Sequence, residues 1–232
     1  MKILVSLLIF LFAPQMIWGN NQLWQYSKSD STKIVALLDE AKNEKEDTDF
    51  PLYFANKFIG IRYVASTLER NKTEKLVINL QELDCTTLVE NVLALTLCVK
   101  TKQYSFNQFC TFLQKIRYNN GVISYPTRLH YFSEWINDNT KQGFVKEINT
   151  PNPPFKSQQI LDLHYMSTQH HKYPMLVQNP SWIKEIRKME QMVSGKTVNY
   201  IPKGILNNSS LIKDVIKDGD IIAIVTARKG LD

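Results

Sequence analysis

LDCTTLVENVLAL, residues Leu83 to Leu95, sets a single cysteine directly after an aspartate at the mouth of a long apolar run. Asp84 is a favoured N-cap type, so the run predicts a helix with Cys85 on its first position, beside the unpaired N–H groups and the positive end of the macrodipole. Thiolates are stabilised in such settings, where cysteine pKa values fall from about 8.5 to roughly 3.5–7.5, and the same N–H groups can hold a developing oxyanion. Cys85 is therefore the candidate nucleophile. The pattern equally fits a small buried hydrophobe at a helix start.

The beginning of the chain bears on that choice. Met1-Lys2 precedes the apolar stretch ILVSLLIFLFA, Ile3 to Ala13, which is too short to span a bilayer but right for the core of a signal peptide, with Gly19 as a small residue at the cleavage point. Residues 1–19 are thus expected to be a signal peptide and residues 20–232 a single exported domain, periplasmic in a bacterium and without a membrane anchor after cleavage. Export makes the three cysteines informative, because an odd number in an oxidising compartment leaves at least one thiol without an intramolecular partner. Cys85 and Cys98 lie on one predicted helix about 20 Å apart, too far for a disulfide. Cys98 and Cys110 could meet across a helical hairpin, but their neighbours, Leu95, Leu97 and Val99 for one and Phe109, Phe112 and Leu113 for the other, mark them as core residues.

Composition is that of a globular protein, with 44% hydrophobic and 22% charged residues. The net charge of +6 comes from scattered lysines, with no basic helix and no aromatic-basic ladder, so no nucleic-acid partner is expected. Helix outweighs strand. Ser31 opens an amphipathic helix in STKIVALLDEAKNE, a shorter helix covers Leu52 to Phe58, and KLVINL, Lys75 to Leu80, reads as a short strand leading into the Cys85 helix. Ser105 with Gln108 resembles a capping box for a helix to about Tyr118. Phe132 to Lys141 and Ser181 to Val193 are further helices, stopped by Gly143 and Gly195. TPNPPF, Thr150 to Phe155, is extended because its prolines forbid helix. DGDIIAIVTA, Asp218 to Ala227, is the clearest strand signal, a turn followed by a β-branched apolar run typical of the middle of a sheet. Yet the earlier strand candidates are few, so either its partner is non-local or the sequence is cut short.

Five strings in order, FIGIRYVASTLE (Phe58 to Glu69), VINLQELDCTTLVENVLAL (Val77 to Leu95), RLHYFSEWI (Arg128 to Ile136), YMSTQHHKYPML (Tyr165 to Leu176) and IKDGDIIAIVT (Ile216 to Thr226), resemble the secreted N-acetylmuramoyl-L-alanine amidase-like family of the NlpC-type, papain-like superfamily. The resemblance spans nearly all of residues 20–232. It implies an α+β, papain-like cysteine amidase without cofactor that acts on peptidoglycan fragments, cutting the amide between the lactyl group of muramic acid, or its anhydro form, and L-alanine. It also implies an antiparallel sheet packed on the cysteine helix, with a histidine base on a neighbouring strand.

Carried over by residue, Cys85 matches the nucleophile, Asp84 an acidic residue that helps to recognise the peptide end of the substrate, and Tyr63 a tyrosine of the same cleft. Arg128, His130 and Tyr131 in RLHY, and Ser167 and Thr168 in MST, match signature segments placed around the substrate. Two departures stand out. Relatives continue MST with histidine and proline where this chain has Gln169 and His170, and in relatives the strand after GDIIAIVT…KGLD opens with an HVG-like string that carries the catalytic histidine, whereas this sequence ends at KGLD. The resemblance therefore implies that residues 20–232 are C-terminally incomplete and lack the base, which contributes roughly 100- to 10,000-fold to such chemistry. Of the four histidines, His130 reads as a structural or substrate-contacting residue, while His164, His170 and His171 fit no zinc spacing, so no metal site is expected. The rival expectation is a non-catalytic remnant that binds wall fragments through Tyr63, Asp84 and Arg128.

Overall fold

Asp84 has extended backbone angles and Cys85 helical ones, and the helix that starts there, α3 in chain order (Cys85–Lys100), is the spine of the molecule. The structure, a computed structural model, describes residues 23–148, 154–207, 209–226 and 228–232. The expected signal peptide and most of the Thr150–Phe155 segment lie outside them. α3 buries Val92, Leu93, Ala94, Leu95, Leu97, Cys98 and Val99, which is why its sequence is apolar on most faces. It packs against α1 (Lys28–Ala41), α2 (Phe50–Asn56) and α4 (Phe106–Arg117). Their apolar stripes, with Ile34, Leu37 and Leu38 from α1, Phe54 from α2, and Phe109, Leu113 and Ile116 from α4, close a first core around it.

Local chemistry sets the ends of these helices. The N-cap of α1 is Ser27, four residues before the expected Ser31, because Ser27 and Asp30 form a reciprocal capping box. Asp49 caps α2, which carries Pro51 in its first turn, where the missing N–H costs nothing. Ser105 caps α4 as expected. α5 (Phe132–Lys141) matches its sequence boundaries and is stopped by Gly143 at φ 72°.

A second, smaller core gathers Tyr125, Tyr131, Leu161, Leu163, Met166, Met175, Leu176, Ile186, Met189 and Val193. Its residues come from the short α6 (Tyr165–Thr168), α7 (Pro174–Gln178) and α8 (Trp182–Val193) and from the segments around Tyr125, Tyr131 and Leu161–Leu163, whereas α5 places Trp135 on the first core. The described residues hold three two-stranded sheets. β1 (Trp24–Gln25) pairs in parallel with β3 (Leu76–Val77), β2 (Arg62–Tyr63) in parallel with β4 (Glu82–Leu83), and β5 (Ser157–Ile160) antiparallel with β6 (Thr197–Tyr200).

Two expectations about strands are corrected. KLVINL contributes only Leu76–Val77 to a ladder, since β1 is two residues long and sets the limit. The Asp218–Ala227 run forms no strand among the described residues: a strand requires a backbone partner, and the contact that β5 makes with the run is a side-chain one, from Gln159 to the carbonyl of Thr226 (3.4 Å). Its apolar side chains stay in solvent, with Ile222 68% and Ile224 79% exposed. Helix-rich α+β architecture thus holds, and among the described residues the cysteine helix is packed by α1, α2 and α4.

Candidate active site

Asp84 accepts the N–H of Thr87 at 2.8 Å, and the Thr87 hydroxyl accepts the N–H of Asp84 at 2.9 Å. This double latch holds Cys85 on the first helical position, with its thiol exposed. Thr87 also donates its hydroxyl to the Asp84 carboxylate at 2.8 Å. The other two cysteines are buried and free; burial pushes the Cys98 thiol up to about 12 and the Cys110 thiol higher still. Of the three thiols, Cys85 is the one that solvent reaches.

Register brings Tyr63 to the same place. Pairing of β2 with β4 sets Arg62 opposite Glu82 and Tyr63 opposite Leu83, two residues before Cys85, and the Val64 N–H continues the ladder to the Leu83 carbonyl at 3.0 Å. The Tyr63 ring is 69% exposed, so an aromatic face stands in solvent beside the Asp84–Cys85 turn. Glu82 anchors this edge through Arg70 (2.5 Å) and Arg62, and the two guanidinium groups hold its carboxyl below the usual range.

Beneath α3 lies a buried charge network. Arg117 at the end of α4 donates Nε to Glu90 at 2.7 Å and Nη1 to the Val77 carbonyl at 2.7 Å, and both side chains are almost wholly enclosed. Burial pushes the Glu90 carboxyl up, while Arg117 pulls it down; Asp84 adds to the rise and Arg128 to the fall. Glu90 thus feels both the cysteine turn and the RLHY segment. Arg128 is 5% exposed, ion-paired to Glu69 at 2.5 Å and Glu74 at 3.6 Å, with its guanidinium 4.7 Å from the centre of the Tyr125 ring. Tyr118 completes the network by donating to Glu74 at 2.7 Å.

His130 is held at Nε2 by the carbonyl of Tyr125 at 2.8 Å, which makes Nε2 the protonated nitrogen. Burial, reinforced by Arg128, pushes its pKa down to about 3, against the pull of the Tyr125 carbonyl. His130 is therefore neutral near pH 7. Because the unfolded value is about 6.5, the folded state binds fewer protons between pH 6.5 and 3, and stability should fall as pH drops through that window. We expect about 2 kcal/mol of such loss after discounting for the ring's partial exposure. Urea unfolding midpoints at pH 7 and pH 4 check it: the drop should shrink in His130→Gln, and an equal drop in both proteins would show that His130 is not its source.

Tyr131 and Ser167 meet through a residue that the sequence did not single out. Glu190 of α8, 1% exposed, accepts the Tyr131 hydroxyl at 2.7 Å and the Ser167 N–H at 3.1 Å, while Tyr131 Oη accepts the Met166 N–H at 3.1 Å. Thr168 is exposed and donates its hydroxyl to the His164 carbonyl at 2.7 Å. The structure thus brings Tyr63, Asp84 and Cys85 together on one edge and ties Tyr131 to Ser167 on another. Among the described residues no hydrogen bond or ion pair joins the two groups directly, and no histidine is hydrogen-bonded to Cys85. Nor do they contain a cluster of three metal-ligating side chains. Glu90 did leave a signal in the sequence, as an acidic side chain inside an otherwise apolar helix, which implies a buried partner.

A helix-rich α+β domain with an exposed thiol at a helix start narrows the class, and comparison with known proteins supplies the family. The description "N-acetylmuramoyl-L-alanine amidase-like" matches residues 53–232, and the chain belongs to that family. Among solved structures, an N-acetylmuramoyl-L-alanine amidase from Bacteroides uniformis is similar at 42% identity over 79% of this chain and 75% of that one, with a TM-score of 0.69. A putative xylanase from Bacteroides fragilis is similar at 41% identity over 66% of each chain, TM-score 0.61. A Legionella pneumophila protein at 20% identity, covering 81% of this chain and 68% of that one with a TM-score of 0.59, shares the fold. No curated protein matches the chain.

Proposed function

We propose that this chain carries the nucleophile and substrate cleft of a papain-like cysteine amidase that cuts the amide between N-acetylmuramic acid, or its anhydro form, and L-alanine in peptidoglycan fragments. The observation that carries the proposal is the exposed Cys85 thiol on the first turn of α3, latched by Asp84 and Thr87 and flanked by the exposed Tyr63 ring. Family membership supplies the substrate class. The apolar Ile3–Ala13 run supports export to the compartment where that substrate lies.

In the proposed reaction the Cys85 thiolate attacks the lactyl carbonyl and the tetrahedral oxyanion takes hydrogen bonds from N–H groups at the start of α3. The C–N bond breaks as a protonated histidine gives its proton to the leaving L-alanine nitrogen. A thioester to Cys85 forms, and water, deprotonated by the same histidine, then frees the muramic acid carboxylate and the thiol. Asp84 and Tyr63 orient the peptide side of the scissile bond. Tyr131, Ser167 and Thr168 shape the opposite wall, with Arg128 and His130 holding the RLHY segment from within.

His130 does not suit the role of base, since Nε2 is committed to a carbonyl and protonation is suppressed to about 3. The base is assigned instead to the HVG-like strand of the family. The test is mass spectrometry of products from an anhydro-muropeptide treated with protein that carries the strand. The expected product is a stem peptide with L-alanine at its new amino terminus; cleavage within the stem peptide would refute the bond assignment.

A further inference from the structure

Neither α5 nor α6 caps its own start. Tyr131 makes no side-chain bond to the first-turn N–H groups of α5, nor His164 to those of α6, which in most helices a Ser, Thr, Asp or Asn at that position would satisfy. One distant tripeptide serves both. Asp232 accepts the Phe132 N–H on one carboxylate oxygen at 3.2 Å and the Ser133 N–H on the other at 2.5 Å. The Gly230 carbonyl accepts the N–H groups of His164 at 3.2 Å and Tyr165 at 3.1 Å. Between them Leu231 packs on the second core. Gly230 has φ 81°, and a Cβ there would stand 3.0 Å from the His164 ring and 3.1 Å from the Tyr165 nitrogen, so both conformation and space select glycine.

A second carboxylate sits beside this arrangement. Glu134, in the first turn of α5, buries Oε2 without a partner. Burial pushes its carboxyl up to about 7, with Asp138 on the same helix and Asp232 adding to the rise and Lys196, next to β6, opposing it. Up to that pH Glu134 stays protonated beside Asp232. Above it, two negative charges face each other at the helix start, and the stability linked to the neutral form is lost as pH rises from about 4.5 through 7.

We propose that Gly230–Leu231–Asp232 is a clasp that positions the Tyr131–Ser133 segment against the Leu163–Thr168 segment, and that ionisation of Glu134 loosens it. Asp232 and Gly230 are then positioning residues for the wall formed by Tyr131, Ser167 and Thr168. The functional meaning of the clasp rests on the muropeptide reading above; its existence does not, because it is measurable without substrate.

Amide hydrogen exchange of the intact chain, corrected for intrinsic pH dependence, separates the two. In the wild type, protection of Phe132 and Ser133 should fall about tenfold from pH 5.5 to pH 8.5, a typical size for a cap lost to like-charge repulsion. Glu134→Gln should keep full protection at both pH values, and Asp232→Asn, which retains an oxygen acceptor but no charge, should become independent of pH. Asp232→Ala should lower protection at both pH values, at His164 and Tyr165 as well as at Phe132 and Ser133, while the amides of α3 stay protected and report that the fold persists. If Asp232→Ala unfolds the chain, the Glu134→Gln and Asp232→Asn comparison decides alone. Wild-type protection that is the same at pH 5.5 and 8.5, or a pH drop that survives in Glu134→Gln, would overturn the proposal.

Discussion

Arg117→Met should cost about 3–5 kcal/mol of folding stability, a large part of the roughly 5–15 kcal/mol available to a domain of this size. The guanidinium is 1% exposed, and its loss strands the Glu90 carboxylate in the first core and leaves the Val77 carbonyl without its donor. An unpaired buried charge is far costlier than the net gain from pairing it, so the damage comes mainly from what remains. Removing the partner as well should therefore help: Glu90→Leu with Arg117→Met is expected to recover most of the loss, short of about 1 kcal/mol for the Val77 carbonyl. Urea unfolding of the two single variants and the double variant closes the cycle. Additive losses in the double variant would mean that Glu90 and Arg117 do not act as a pair.

The parts of this fold that were legible in the sequence are those decided within one helical turn. Asp84 before an apolar run located the start of α3 to the residue, and the α5 boundaries followed from its periodicity and from Gly143. The start of α1 was misplaced at Ser31, since the reciprocal Ser27–Asp30 box that caps it lies one turn upstream. Contacts between distant segments could not be read. Tyr63 meets the cysteine turn only because two-residue strands pair in parallel, and Glu190 joins Tyr131 to Ser167 across intervals of 59 and 23 residues. The Ile221–Val225 stretch shows the opposite failure: its composition is that of a central strand, but a strand exists only where another backbone completes its hydrogen bonds. Cys98 and Cys110, by contrast, were legible as core residues from their apolar neighbours alone.

Cys85→Ala should remove the chemistry while leaving the fold in place. The side chain is exposed and α3 is capped by Asp84 and Thr87 rather than by Cys85, so the stability change should stay within about 0.5 kcal/mol. Without the thiol no thioester forms, and losses of a nucleophile in triad-type hydrolases reach about a millionfold. Binding of the muropeptide through Asp84 and Tyr63 should persist. The decisive measurement is the rate at which L-alanine-terminated stem peptide is released from an anhydro-muropeptide by protein that includes the family's histidine strand, with Cys85 intact and with Cys85→Ala. A drop of at least about 10,000-fold with unchanged circular dichroism is the predicted result; turnover in Cys85→Ala within tenfold of the intact protein would contradict Cys85 as the nucleophile.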